Sequence, residues 1–161
     1  MLSRLGAWLA GVWAGAIAAL GLVAAPTLFA TLARADAGRV AGRLFELDAY
    51  LGIAVGAALL LVAMQRSHDA GERGGTRFSV ELGLVLAALF CIVAGYFAVQ
   101  PLMEAARRGE GGASFAVLHG VASAFYLVKL IVVAVLAWRL GASAVALASA
   151  GEVAKAVAPT S

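Results

Sequence analysis

Charge is what this chain has least of. Only 13% of its 161 residues are Asp, Glu, Lys or Arg, about half the roughly 25% of an ordinary soluble domain. With 63% of residues hydrophobic, a water-soluble fold of this size would expose much apolar surface. Cysteine is scarcer still. Cys91 stands alone inside an apolar run, which excludes an intrachain disulfide and leaves it as a small buried hydrophobe. There are two histidines, His68 and His119. No CxxC, HExxH, glycine-rich phosphate loop or nucleophile elbow occurs, so the expectation is of a protein that is not an enzyme. A net charge of +3 is too small a bias to make nucleic acid a partner.

What the chain does have is long runs of Ala, Leu, Val and Gly. They span Leu5 to Ala25, Leu44 to Met64 with an extension back to Ala37, Val80 to Val99 with a continuation through Pro101 toward Ala106, and Phe115 to Trp138. A bilayer core needs about 20 apolar residues per helix. The expected fold is therefore an all-α, integral membrane four-helix bundle over residues 1–140, with spans near 5–25, 44–64, 80–100 and 115–138. The lipid bilayer is its first partner. The first run exceeds the roughly 7–15 residues of a secretory signal core, and Pro26 after Ala24-Ala25 disfavours cleavage, so it reads as a retained helix. Pro26 is expected to stop helix 1, and Asp36 to cap helix 2. Segments 65–77 and 107–114 read as solvated loops, and 141–161 as a low-complexity tail, a frayed helix or disordered, with no assigned role.

Four spans place both termini on one side. That side carries Arg4, Arg66, Arg73, Arg77, Arg139 and Lys155; the other carries Arg34, Arg39, Arg43, Arg107 and Arg108. Six against five tips the positive-inside balance only slightly toward cytoplasmic termini. The Ala-, Gly- and Arg-rich composition points to a bacterial cytoplasmic membrane. Connectivity is more informative. The end of helix 1, the start of helix 2, the end of helix 3 and the start of helix 4 share one face, where 25–50, 100–108 and His119 converge. Gly11/Gly15, Gly38/Gly42 and Gly52/Gly56 form small-xxx-small pairs that let backbones approach in lipid, within the chain or between copies.

Polar residues inside apolar runs need an explanation. Helix 4 reads FAVLHGVASAFYLVKLIVVAVLAW. At 100° per residue His119, Ser123 and Tyr126 lie within about 60° of one another, with Lys129 about 60° further round. An uncompensated lysine at mid-span costs at least about 2.5–3.5 kcal/mol, so Lys129 should face the bundle, a partner or the interface. The stripe is either a hydrogen-bonded seam that sets helix register or a relay or ligand site. Helix 2 opens with Arg39, Arg43, Glu46 and Asp48. Arg43 and Glu46 are three apart and can pair on one face. Glu46 and Asp48 either belong to an interfacial collar, or one turns inward to His119 or Lys129 as an acid–base pair.

Ligand counting bears on cofactors. His68 and His119 fall on opposite membrane faces, which disfavours a single-chain bis-histidine haem. A metal ion would need His119 with Met103, Glu104 or residues of another chain.

Three segments taken together are familiar: WAGAIAALGLVAAPTLFATL (13–32), AGRVAGRLF (37–45) and FAVLHGVASAFYLV (115–128). They resemble the transmembrane protein 205-like family through Trp13, Gly15, Pro26, Phe29, Ala37, Gly38, Gly42, Phe45, Phe115, His119, Gly120 and Ser123. The sequence departs at Tyr126, where many relatives place asparagine. The resemblance implies a small four-helix membrane protein, with one relative associated with platinum-drug resistance, and no settled reaction. The chain also looks similar to four-helix copper-resistance membrane domains, which keeps metal handling in view.

The expected function is binding, or helping to move, a small polar species or metal ion. Its polar site would consist of His119, Ser123, Glu46, Asp48, Pro26 and Thr27, with Tyr126 and Lys129 adjoining. The rivals are a structural subunit of a homo-oligomer or larger membrane complex, and a redox subunit holding haem or quinone across a dimer.

Overall fold

The computed structural model describes residues 2–72 and 79–157. Among the described residues, four helices are long and apolar enough to cross a membrane: Arg4–Thr31, Arg34–Arg66, Val80–Arg107 and Phe115–Ala146. The described regular elements are all helical. The chain is an all-α integral membrane helix bundle.

Helix 1 runs over Leu2–Ala18, widens into a π-helical stretch over Ala19–Ala24 and resumes over Ala25–Thr31. Pro26 therefore does not stop it. A proline lacks the N–H for the i−4 bond, and its ring crowds that carbonyl. The wider i→i+5 turns immediately before Pro26 absorb both defects. Helix 3 uses the same device: Val80–Ile92, a π-helical stretch over Val93–Ala98, then Val99–Arg107 across Pro101. Helix 1 ends instead at Leu32, whose backbone is extended.

Helix 2 spans Arg34–Glu72 and helix 4 spans Phe115–Val157. Asp36 does not cap helix 2. The helix starts two residues earlier, so Asp36 lies in the first turn, where its charge suits the helix dipole, and its carboxylate pairs with Arg39. Residues 65–72, expected in a loop, continue helix 2; residues 73–77 lie outside the described residues. Helix 4 likewise continues through 141–157, while 158–161 lie outside them. Helix 3 does have a side-chain cap, Ser79 Oγ accepting from the Leu82 amide at 3.2 Å.

Between helices 3 and 4 the chain turns on Gly109, whose φ is +76°. The Gly109 amide bonds to Ala106 O and the Glu110 amide to Ala105 O. That is a Schellman ending, whose left-handed residue glycine adopts without a Cβ penalty.

Helix 4 packs on helices 1 and 3, and helix 2 packs on the same two. Helices 2 and 4 thus face each other across a diagonal. The core gathers Trp13, Ile17, Leu59, Val85, Val133 and Leu136 around small residues such as Ala10, Ala49 and Ala88. Of the glycine pairs, Gly52/Gly56 mediates close approach: an added Cβ would lie 2.8 Å from Ile92 at the first and 2.6 Å from Leu89 at the second. Around Gly11, Gly15, Gly38 and Gly42 nothing lies within 4 Å of such an atom.

Packing differs between the two ends. Toward the termini, inward positions such as Ala10, Leu59, Val85, Val133, Leu136 and Leu140 are fully buried. Toward the turns that join helices 1–2 and 3–4, Leu20, Gly21, Leu118, Ala122 and Phe125 are half-buried, and the buried residues are the small Ala37 and Ala41 with Val99. Both π-helical stretches lie in this looser half.

Candidate functional site

Lys129 Nζ donates to Asp48 Oδ2 at 2.5 Å, across the bundle diagonal. The side chains are 5% and 9% exposed, which makes this the most buried of the ion pairs among the described residues. Lys129 is also the sole buried charged residue among them. Asp48, Lys129 and Ile17 fall near the midpoints of the spans Arg34–Arg66, Phe115–Ala146 and Arg4–Thr31. The pair therefore sits at mid-depth.

Its surroundings are specific. Lys129 Nζ lies 4.4 Å from the centroid of the Tyr126 ring, a cation–π contact that is worth more when desolvated. The Tyr126 hydroxyl donates to the Ile17 carbonyl of helix 1 at 2.9 Å. Phe45 meets the same ring edge-on at 5.1 Å. Gly21, inside the first π-helical stretch, makes room for that ring: a Cβ there would come within 2.6 Å of Tyr126 Cε1. Gly95, in the second stretch, admits Phe125, whose Cβ would lie 2.4 Å from an added one. Consecutive aromatics of helix 4 thus key into the two widened segments. Tyr126→Phe, which removes only the bond to Ile17, is expected to cost about 1 kcal/mol in reversible unfolding from mixed micelles.

The chain's other expected site residues are placed apart from this centre. Glu46 pairs with Arg43 on its own helix at 2.7 Å, which leaves Asp48 as the carboxylate that turns inward. His119 is exposed and stacks on Phe115, with ring centroids 5.8 Å apart. Arg107 lies over the other partner of that stack, 4.7 Å from the Phe115 centroid, joining the end of helix 3 to the start of helix 4. Ser123 is exposed. Pro26 and Thr27 are exposed, and Thr27 Oγ1 donates to the Val23 carbonyl of its own helix at 2.7 Å. Helical drift explains the division. Relative to the buried positions Lys129, Val133, Leu136 and Leu140, Tyr126 lies about 50° off, His119 about 70° and Ser123 about 110°.

Met103 is half-buried and Glu104 exposed. Among the described residues, no three His, Cys, Asp or Glu side chains gather where they could hold a metal ion. Cys91, buried on helix 3, lies within electrostatic reach of Lys129. At the opposite end Arg139 Nε donates to Glu81 Oε1 at 3.1 Å. Beside it a cavity of about 10 Å³, lined by Leu59, Arg66, Glu81, Val85, Leu136 and Leu140 among others, has room for about one water molecule.

Sequence reasoning did not reach one polar atom. Trp13 Nε1 is buried and has no hydrogen-bond partner, although the residue is 4% exposed. Nothing in an Ala- and Leu-rich helix marks such a donor, because its isolation depends on what faces it.

Residues 8–111 match the family described as Domain of unknown function (DUF4149). The chain belongs to the DUF4149 family. The DUF4149 match takes in Trp13, Gly21, Asp48 and Cys91, and it ends before helix 4, so Lys129 and Tyr126 reach this centre from outside it. No curated protein and no solved structure matches this DUF4149 chain.

Proposed function

We propose that this protein binds a small polar or ionic species at mid-depth and helps it, together with protons, across the membrane. The Asp48–Lys129 pair is its working element. The observation that carries this reading is the pair itself: opposite charges joined at 2.5 Å and almost fully buried, at a depth where ionisable residues are costly and mark ion or proton pathways. The uneven packing supports a direction of access. Half-buried Leu20, Gly21, Leu118, Ala122 and Phe125 lie between the turn end and the pair, beside buried Ala37, Ala41 and Val99, while Val85, Val133, Leu136 and Leu59 close the side toward the termini. The protein acts without covalent catalysis and resides in a bacterial cytoplasmic membrane. The resemblance of 13–32, 37–45 and 115–128 to the transmembrane protein 205-like family implies a small four-helix membrane protein, with one relative associated with platinum-drug resistance.

The test is proton flux in phosphatidylethanolamine/phosphatidylglycerol vesicles loaded with a pH-sensitive dye. Wild-type vesicles are expected to dissipate an imposed pH gradient faster than empty ones. The charge-free double variant Asp48→Asn/Lys129→Met should return the rate to that of empty vesicles. A double variant that conducts as well as wild type would refute the reading.

A second reading has its own support. Asp48, Lys129, Tyr126 and Ile17 tie helices 1, 2 and 4 at one level, which is also what a register-setting lock would do. The same vesicles decide: a lock predicts altered stability in the double variant with no flux to lose.

A further inference from the structure

The unpartnered indole N–H of Trp13 adds information about the species handled. It lies on the helix 2 side of the core, where an added Cβ on Gly52 would be 3.5 Å from Nε1. Gly52 is four residues, one helical turn, from Asp48. The levels agree on helix 4 as well, since the Tyr126 hydroxyl reaches Ile17 one turn from Trp13, and Lys129 follows Tyr126 by three residues. A buried donor with no acceptor is costly. One kept about a helical turn from a buried ion pair is a ligand contact in waiting.

We propose that the centre is a proton-linked site for a small monovalent anion, with Lys129 Nζ and Trp13 Nε1 as its donors. The assignment rests on the functional reading above and names the class of species. Both groups can only donate hydrogen bonds, so they recognise an acceptor. Asp48 supplies the linkage. At rest it holds the lysine, and the site is neutral. A proton arriving on the Asp48 carboxylate neutralises it and breaks its bond to Lys129, and the anion then accepts from the freed ammonium and from the indole. One proton and one anion enter together, so the net charge of the centre stays zero, as a low-dielectric interior demands. A cation would have to enter beside an existing ammonium.

Asp48 is the group that exchanges the proton, and its neighbours are few. Helix 4 presents Lys129 and Tyr126. Helix 3 brings Cys91 into electrostatic reach of the lysine. On helix 2, Glu46 is engaged by Arg43. Helix 1 has no ionisable side chain between Arg4 and Arg34.

The test uses the full chain in nanodiscs with Trp8→Phe and Trp138→Phe, leaving Trp13 as the sole fluorophore of the three tryptophans. Sodium iodide is titrated against sodium gluconate at fixed ionic strength, at mildly acidic and mildly alkaline pH. Expected is saturable quenching of Trp13 that is at least several-fold stronger at acidic pH. Asp48→Asn, neutral at every pH, should keep the acid-like affinity throughout, and Asp48→Asn/Lys129→Met should abolish saturable quenching. If the Trp8/Trp138 variant does not fold, the unsubstituted chain serves, because Trp8 and Trp138 are 74% and 80% exposed and are quenched by collision alone. Quenching that is linear in iodide and independent of pH would overturn the proposal, as would a pH dependence that survives in Asp48→Asn. Proton flux with no saturable iodide quenching removes the anion and leaves the functional reading standing. Saturable quenching without flux does the reverse.

Discussion

Lys129→Met is expected to destabilise the bundle by about 3–5 kcal/mol, because it leaves the Asp48 carboxylate buried without its partner. No nearby side chain can take over. Tyr126 presents its ring to the lysine and commits its hydroxyl to Ile17, and Glu46 cannot substitute for Asp48 because Arg43 holds it outside. The loss is read by reversible unfolding in mixed micelles, followed by far-UV circular dichroism. Adding Asp48→Asn should restore most of it, since neutral groups of similar size carry no desolvation penalty of that size. Equal destabilisation in the single and double variants would mean that the pair is not buried as described.

Gly95→Ala is expected to cost a net of about 1–3 kcal/mol, the range for forcing an extra methyl into a packed core. Alanine is the better helix former by about 0.5–1 kcal/mol, so the sign depends on the contact. Here the contact is decisive. The obstructing atom is Phe125 Cβ at 2.4 Å, which is fixed to the helix 4 backbone and cannot swing aside. Phe125→Ala should therefore fail to rescue, because alanine retains that Cβ. Gly15→Ala is the matched control: nothing lies within 4 Å of its added atom, and stability should hold or rise slightly. Both are read in the same unfolding assay. A neutral Gly95→Ala would show that helices 3 and 4 are not keyed together at the π-helical stretch.

Much of the architecture was legible because it rests on run length. Apolar segments of about 20 residues between polar breaks leave few alternatives to a membrane helix bundle. The arginine–glutamate pair at 43 and 46 was also legible, being local to one helix. Cost alone restricted Lys129 to the bundle, a partner or the interface, and did not choose among them. What escaped was whatever depends on neighbours. The rule that proline ends a helix assumes uniform α geometry, and widened turns before Pro26 and Pro101 remove that assumption. The stripe on helix 4 was drawn too wide, because its 100° steps place Ser123 and Lys129 about 120° apart. That Asp48 is the carboxylate turned inward depends on helix 4 bringing Lys129 to it, which the sequence of helix 2 does not show. The isolation of the Trp13 donor is a property of the assembled core and leaves no trace in the sequence of helix 1.

The central claim is that Asp48 and Lys129 meet in the interior of one four-helix bundle. Asp48→Cys/Lys129→Cys in a Cys91→Ala background removes both charges together and leaves a thiol at each end of the contact. Membranes treated with a short bifunctional methanethiosulfonate should yield an intramolecular cross-link, seen as a mobility shift that a reductant reverses. With thiols that react singly but never bridge within one folded chain, helices 2 and 4 would not face each other, and the account of the site would be wrong.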